Sequence, residues 1–345
     1  MNEPRLTAPL CFQPILMERV WGGDRISALF GRHSKPGKAI GESWELVDRT
    51  EAQSVLADGA ASGRTLHELV NLYSRPILGE LPMTHRPFRF PLLVKYIDAR
   101  TSLSVQVHPG DTVARGFNDR GKSECWVVVH AQPGAKIVRG LKPGISRGEC
   151  ARAVEDERVE EVLHSFTPHV GDVIALPPGM VHALGAGLVV AEIQQNSDLT
   201  FRLYDYKRPG LEGKPRQLHV AEALAVMRFG APGDEFSGDM SRDTVVPLSA
   251  RQGAGVVTEH LLQGRYFDLH RYLLAPGAEM TVAACPAAPR VLMAIAGSGR
   301  LGEAPLKAGQ TVLLPAALPL LRAAADKSSP GPLVLLASRP MPDAC

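Results

Sequence analysis

The stretch Gly171-Asp-Val-Ile-Ala-Leu-Pro-Pro-Gly-Met-Val-His182 constrains this chain most, because its first half recurs as Gly309-Gln-Thr-Val-Leu-Leu-Pro315. Each copy reads glycine, five residues, proline. Each follows a hydrophobic run and a glycine-containing turn, WVVVHAQPGAKIVRGLKPG before the first and VLMAIAGSGRLGEAPLKAG before the second. Glycine and proline at fixed offsets shape turns, and the aliphatic residues between them suit a strand. The shared order of strand, turn and strand predicts one β-architecture present twice.

The rest of the chain agrees. Residues 91–97, 102–107, 125–130, 172–176 and 188–193 are short, apolar and bounded by turn residues, as are 267–274, 290–295, 310–314 and 332–336. Three stretches have helical spacing: 65–73, where Thr65 and Glu68 form a capping-box pattern, 146–163, and 219–227. Strands without regularly alternating helices favour a sandwich or barrel over a doubly wound sheet. The Gly/Pro/Ser/Asp-rich stretch 230–243 reads as a linker.

Charge excludes some functions. The 345 residues carry 38 basic and 36 acidic side chains, a net charge of +2, which gives no footprint for nucleic acid or an anionic membrane. Five widely spaced cysteines with no CxxC argue against a disulfide framework or a cysteine zinc site. The N-terminal residues do not read as a signal peptide, and no apolar run reaches the ~18 residues that span a bilayer. A soluble protein of the reduced cytoplasm is expected.

Gly171–His182 fits Gly-x5-Pro-x-Gly-x2-His, and in this it resembles the second sequence motif of the cupin barrel. The motif would present His182 inward from the strand that follows the turns. The second copy has Ala317 and Leu320 at the glycine and histidine positions. Upstream, Gln106 and His108 are two apart in Ser-Val-Gln-Val-His-Pro and therefore share one strand face. Polar groups facing into a small barrel need partners, because unpaired burial is costly. Glu124 opens the next strand-like run. Two imidazoles, a carboxylate and an amide oxygen suit Zn²⁺, with Mn²⁺, Fe²⁺, Co²⁺ or Ni²⁺ as alternatives. A lone strand histidine is ordinarily a packed or surface residue; His33, His85, His219 and His260 carry no comparable pattern.

The segments GESWELVDR (41–49), PLLVKYIDARTSLSVQVHPGD (91–111), GKSECWVVV (121–129) and ALPPGMVHALGAGLVVAEIQQNSDLTFRLYDYKR (175–208) resemble the type I phosphomannose isomerases, and among them the short bacterial branch. The resemblance is strong over roughly 12–220 and weaker beyond 250. It implies a mainly β fold of two cupin (jelly-roll β-barrel) domains with helical insertions. Residues 1–215 would be a catalytic cupin with insertions near 62–80 and 146–165, 216–249 a helix and linker, and 250–345 a degenerate cupin without metal ligands. It further implies one Zn²⁺ per chain on Gln106, His108, Glu124 and His182, and active-site roles for Lys95, Lys122 and Arg202. The implied reaction interconverts mannose 6-phosphate and fructose 6-phosphate through an enediol.

That chemistry needs stabilisation of an enediolate and a positioned base. Lys122, Glu42, Asp205 or a water on the metal could serve as base. The phosphate needs cationic or N–H donors; Arg202, Lys207 and Arg208 are near one another in sequence, no glycine-rich phosphate loop occurs, and the sequence does not assign the phosphate site. Trp21 and Trp44 read as packing or pocket-wall residues, and alternation puts Cys125 opposite Glu124, in the core. A cupin isomerase of unphosphorylated sugar and a non-enzymatic carbohydrate-binding cupin are the competing expectations.

Overall fold

The computed structural model describes residues 8–32, 37–82, 87–230, 236, 237, 239 and 241–344. The chain divides into two compact units that interleave in sequence. A central unit holds Leu16–Ser43 and Lys95–Val245; a terminal unit holds the chain up to Ile15, Trp44–Val94, and the chain from Val246 onward. The divisions at 43/44 and 94/95 fall inside the strands Ile40–Leu46 and Leu92–Ala99.

In the central unit a six-stranded sheet has the order Val173–Leu176, Glu124–Ala131, Leu188–Gln195, Leu92–Ala99, Ile40–Leu46, Ile15–Gly23. A five-stranded sheet has the order Phe201–Tyr204, Val105–Val107, His182–Leu184, Ile137–Leu141, Leu163–Phe166. Trp126, Ile174 and Val190 of the first sheet meet Ile137 and Leu184 of the second in a common core. On the other face of the five-stranded sheet, Val105, Val107, Ala183 and Phe201 pack with Cys150 and Ala223. Those last two lie on the helices Arg147–Glu155 and Val220–Val226. The helical insertions thus cover apolar side chains that strand alternation turns outward, leaving Gln106 to face in.

The terminal unit repeats the plan. Its large sheet begins Ser249–Gly253, Val256–Gln263, Phe267–Leu274, Leu333–Pro340, Arg290–Ala296, Thr311–Leu314, and continues into Leu10–Gln13 and Val55–Leu56. Its small sheet runs Glu279–Val282, Leu321–Ala325, Ser298–Leu301, Ala304–Lys307. Both units are mainly β, two-sheet jelly rolls, as the repeat predicts.

The two copies match at single hydrogen bonds. Gly171 N–H donates to Val128 at 2.8 Å and Gly309 N–H to Ala294 at 2.7 Å. Val128 and Ala294 each donate back, to Asp172 and Gln310, at 2.9 Å. The two glycines hold φ of 92° and 89°, a region that strains any residue with a Cβ. After the proline the copies part: Gly179 also has positive φ, at 84°, whereas Ala317 does not.

The expected helix over 146–163 is shorter than its apolar spacing suggests. Arg147–Glu155 ends where Glu157 turns to φ 60°, and a single turn at Val159–Glu161 leads into the strand Leu163–Phe166. That strand must reverse to pair with Ile137–Leu141, which a continuous helix would prevent. The strand expected from 102 starts only at Val105. The expected linker 230–243 lies partly outside the described residues.

Thr65 forms the anticipated capping box: its hydroxyl accepts from Glu68 N–H at 3.1 Å, and Glu68 Oε2 accepts from Thr65 N–H at 2.8 Å. Thr65→Ala is therefore expected to destabilise the protein by about 1 kcal/mol, read as a lowered urea midpoint with unchanged activity.

Candidate active site

Strand register assembles the site. In the five-stranded sheet Arg202 stands opposite Gln106, and Gln106 opposite His182, so the three side chains lie in a row on one face. In the six-stranded sheet Glu124 stands opposite Gln194 and Trp126 opposite Glu192. Glu124 and Glu192 therefore share the inward face.

The histidines are fixed from behind. His108 Nδ1 lies 2.9 Å from the Leu199 carbonyl and His182 Nδ1 lies 2.8 Å from the Met180 carbonyl. Each Nδ1 must carry the proton to donate there, so each Nε2 keeps its lone pair for the interior. His182 Nε2 is 3.2 Å from Glu124 Oε1, and His108 Nε2 is 3.4 Å from Glu124 Oε2. The side-chain amide of Gln106 completes the group, its Nε2 position 3.3 Å from His182 Nε2. Amide nitrogen and oxygen exchange by a simple flip, so Gln106 can turn its oxygen to the same point.

Glu124 is fully buried, and its oxygens meet only ionic contacts: Lys122 at 2.9 Å on Oε2 and the two imidazoles, none with good hydrogen-bond geometry. Burial of such a group is expensive unless a cation balances it. Burial opposes ionisation of Glu124, but the Lys122 ammonium beside it is the largest opposing influence and the carboxyl is held well below its usual range. Burial, with Lys122 next in effect, holds His108 well below the usual imidazole range, so it is neutral. An ionised carboxylate, a neutral His108 and Nδ1 atoms turned away onto backbone carbonyls suit a divalent cation. The donor set fits such an ion, and His108, Glu124, His182 and Gln106 are the residues that could hold it.

Lys122 precedes the strand that begins at Glu124, and its N–H is tied to the Pro109 carbonyl at 3.0 Å. Its ammonium still reaches Glu124 Oε2 at 2.9 Å and His108 Nε2 at 3.1 Å. Lys95 is almost wholly buried, with Nζ 3.0 Å from Glu192 and 3.7 Å from Glu42. Burial disfavours its charge, but Glu192 and Glu42 outweigh this and push it above the usual lysine range. Lys95 is thus a fixed cation rather than a base.

Gln106, Lys122 and Trp126 lie in the wall of a cavity of 690 Å³. Its wall carries six cations, Arg19, Lys95, Lys122, Arg202, Lys214 and Arg216, against four carboxylates, Glu42, Glu192, Asp198 and Glu212. Trp21 lines it too, whereas Trp44 and Cys125 are core residues.

Three residues singled out in the sequence lie away from the cavity. Asp205 is held by Arg208 and Arg216 at 2.8 and 2.6 Å and does not line the cavity, so it is no base. Lys207 is exposed, paired with Glu157, and away from the cavity. Arg208 is spent on Asp205 and the Ser102 carbonyl. Lys214 and Arg216, the latter also gripping Asp205, join Arg202 in the cavity wall instead. His33 and His85 lie outside the described residues.

Glu192 was legible but unread. In Leu188-Val-Val-Ala-Glu-Ile-Gln-Gln195 it is a charge two positions from Gln194 in an otherwise apolar strand, a pattern that places both on one face. Burial pushes its carboxyl up to about 8, against the opposing pull of Lys95.

A two-sheet jelly roll with imidazole, carboxylate and amide groups converging beside a basic cavity belongs to the class of metal-binding cupins. Residues 10–122 match the family model of the phosphomannose isomerase type I catalytic domain. The mannose-6-phosphate isomerase ManA of Bacillus subtilis is 36% identical over 90% of this chain and 93% of its own length, and that of Streptococcus mutans is 30% identical over 90% and 93%. The chain belongs to the type I phosphomannose isomerase family. The crystal structure of the Bacillus subtilis mannose 6-phosphate isomerase superposes with a TM-score of 0.84 at 30% identity, covering 96% of this chain and 99% of that one. A Salmonella typhimurium phosphomannose isomerase, at 14% identity and a TM-score of 0.74 over 97% and 100% of the two chains, shares the fold.

Proposed function

We infer that this protein interconverts D-mannose 6-phosphate and D-fructose 6-phosphate in the cavity of its central unit, with Gln106, His108, Glu124 and His182 holding one divalent cation, Zn²⁺ in the first instance. The observation that carries the reading is Glu124, a fully buried carboxylate between the Nε2 atoms of two histidines, beside a cavity rich in cations. When bound, the cation supplies Lewis-acid polarisation of the sugar O1 and O2.

The chain's own groups supply the rest. Isomerisation of the open-chain aldose removes the C2 proton, moves the hydroxyl proton from O2 to O1, and returns a proton to C1. Glu192 faces the cavity between Lys95 at 3.0 Å and Lys122 at 3.8 Å, and we assign it the carbon-to-carbon proton transfer. Lys95 holds that carboxyl in place. Lys122, as an ammonium at the cavity wall, donates to the enediolate oxygen. Arg202 is anchored by the Gln217 carbonyl at 2.9 Å and the Ser104 hydroxyl at 3.3 Å, and with Arg216 and Lys214 it provides the phosphate end.

A coupled assay with mannose 6-phosphate, with and without chelator, tests this. Turnover that chelator abolishes and zinc restores is expected. Good turnover of free mannose with none of the phosphorylated sugar would instead favour an isomerase of unphosphorylated sugar, and no turnover of either a binding protein. Arg202→Lys keeps charge but loses the planar fork, so KM for mannose 6-phosphate should rise about 10–100-fold with a smaller change in kcat.

We place the protein in the cytoplasm. Cys11, Cys125, Cys150 and Cys285 are free thiols, which suits a reducing compartment. Among the described residues no helix is long and apolar enough to cross a membrane.

A further inference from the structure

The terminal unit lacks a donor where its cupin motif would place one: Leu320 stands there, more than half exposed. A different set of donors converges nearby. His260 and His270 are directly opposite each other on adjacent strands, and Asp268 is two residues before His270, so all three share a face. His260 Nε2 lies 2.6 Å from Asp268 Oδ1 and His270 Nε2 lies 3.4 Å from Asp268 Oδ2. The two imidazole rings are stacked, 4.4 Å apart and 8° from parallel, with both Nε2 atoms turned to the same carboxylate. Arg339 Nη2 touches Asp268 Oδ2 at 3.1 Å.

This face is the inward one. The row His260, His270, Ala337, Leu292 crosses three strand pairings, and its far members Ala337 and Leu292 belong to the apolar core of the unit. The six-stranded order of the central unit also aligns with six consecutive strands of the eight in the terminal unit's large sheet. Val256–Gln263, Phe267–Leu274 and Leu333–Pro340 take the places of Ile40–Leu46, Leu92–Ala99 and Leu188–Gln195. In the central unit those three strands supply Glu42, Lys95 and Glu192 to the cavity. In the terminal unit they supply His260, Asp268 and Arg339. The cluster thus stands at the part of its own barrel where the other copy builds its cavity.

We propose that His260, Asp268 and His270 form a second divalent-cation site, of the Zn²⁺ or Cu²⁺ class. Two imidazoles and one carboxylate are a common ligand set for such ions. Asp268 is only 7% exposed while the histidines are 25% and 32% exposed, so the carboxylate is held rigidly and water can complete the coordination. Arg339 occupies the outer lone pairs of Oδ2 and orients the carboxylate, as hydrogen-bonded neighbours of ligating carboxylates do. Tetrahedral bonds of about 2.0–2.1 Å set donor atoms about 3.3 Å apart. The His270 distance already meets this, and the His260 contact must open by a rotation of that partly exposed side chain.

The test is metal counting on the full chain, equilibrated with Zn²⁺, desalted and analysed with isomerase turnover measured in parallel. Two zinc ions per chain are expected in the unmodified protein. His260→Gln and His270→Gln should each bring the count to one with turnover preserved. One zinc per chain in the unmodified protein, removed by His182→Ala, would overturn this proposal and leave the isomerase assignment standing. A count of two unchanged in both glutamine variants would also overturn it. The unmodified protein decides the first point without reliance on any variant folding.

Discussion

Glu124→Gln is expected to lower kcat/KM for mannose 6-phosphate by about 10³-fold or more, a loss near 4 kcal/mol of transition-state stabilisation, and to empty the central site of metal. The substitution keeps size and removes only the charge at the centre of the donor set. Glutamine offers one weak oxygen where the carboxylate offered two, and it would direct an amide N–H at His108, His182 or Lys122. Breaking a buried pair also leaves Lys122 under-compensated, with Glu192 at 3.8 Å as its remaining carboxylate, so a fall in stability of about 3–5 kcal/mol should accompany the loss. Glu124→Asp separates the two effects. It restores the charge and much of the stability, but it withdraws the oxygens by one methylene and should leave turnover low. Metal analysis and a melting curve on both variants check the pair of claims. Full turnover in Glu124→Gln would contradict the assignment of this carboxylate.

Glu192→Gln is expected to lower kcat by about 10²–10⁴-fold, the usual worth of a positioned acid–base group, with metal content unchanged. Glu192 differs from Glu124 in its neighbours: it touches Lys95 at 3.0 Å and faces the cavity, whereas the two imidazoles touch Glu124. The proton-transfer role predicts loss of solvent-exchange of the C2 hydrogen together with turnover, read by ¹H NMR in deuterated water. A merely structural carboxylate would raise KM or lower melting temperature without silencing that exchange. Preserved exchange in Glu192→Gln would move the base elsewhere.

Much of this was readable in the residues, and for identifiable reasons. Strand alternation is a local rule, so Gln106 with His108, and Glu124 opposite Cys125, followed from spacing alone. The glycine-to-proline pattern imposes backbone geometry, which is why Gly171 and Gly309 reproduce the same hydrogen bonds in both copies. What could not be read depends on partners far apart in the chain. Asp205, Lys207 and Arg208 sit beside Arg202 in sequence, but Arg208 pairs with Asp205 and Lys207 with Glu157 away from the cavity, whose wall takes Arg19, Lys214 and Arg216 from elsewhere in the chain. Likewise His260 carried no pattern of its own in the sequence; cross-strand register sets it face to face with His270. The interleaving of segments between the two units has no local signature, because it is fixed by which sheet each strand joins.

The most direct test of the central claim is an anomalous difference map, collected at the zinc edge from crystals of the zinc-equilibrated protein. The account predicts a strong peak in the central unit within about 2.0–2.3 Å of His108 Nε2, His182 Nε2, a Glu124 oxygen and the Gln106 amide oxygen. A map with no peak among these four side chains, from a protein that is nonetheless an active isomerase, would contradict it.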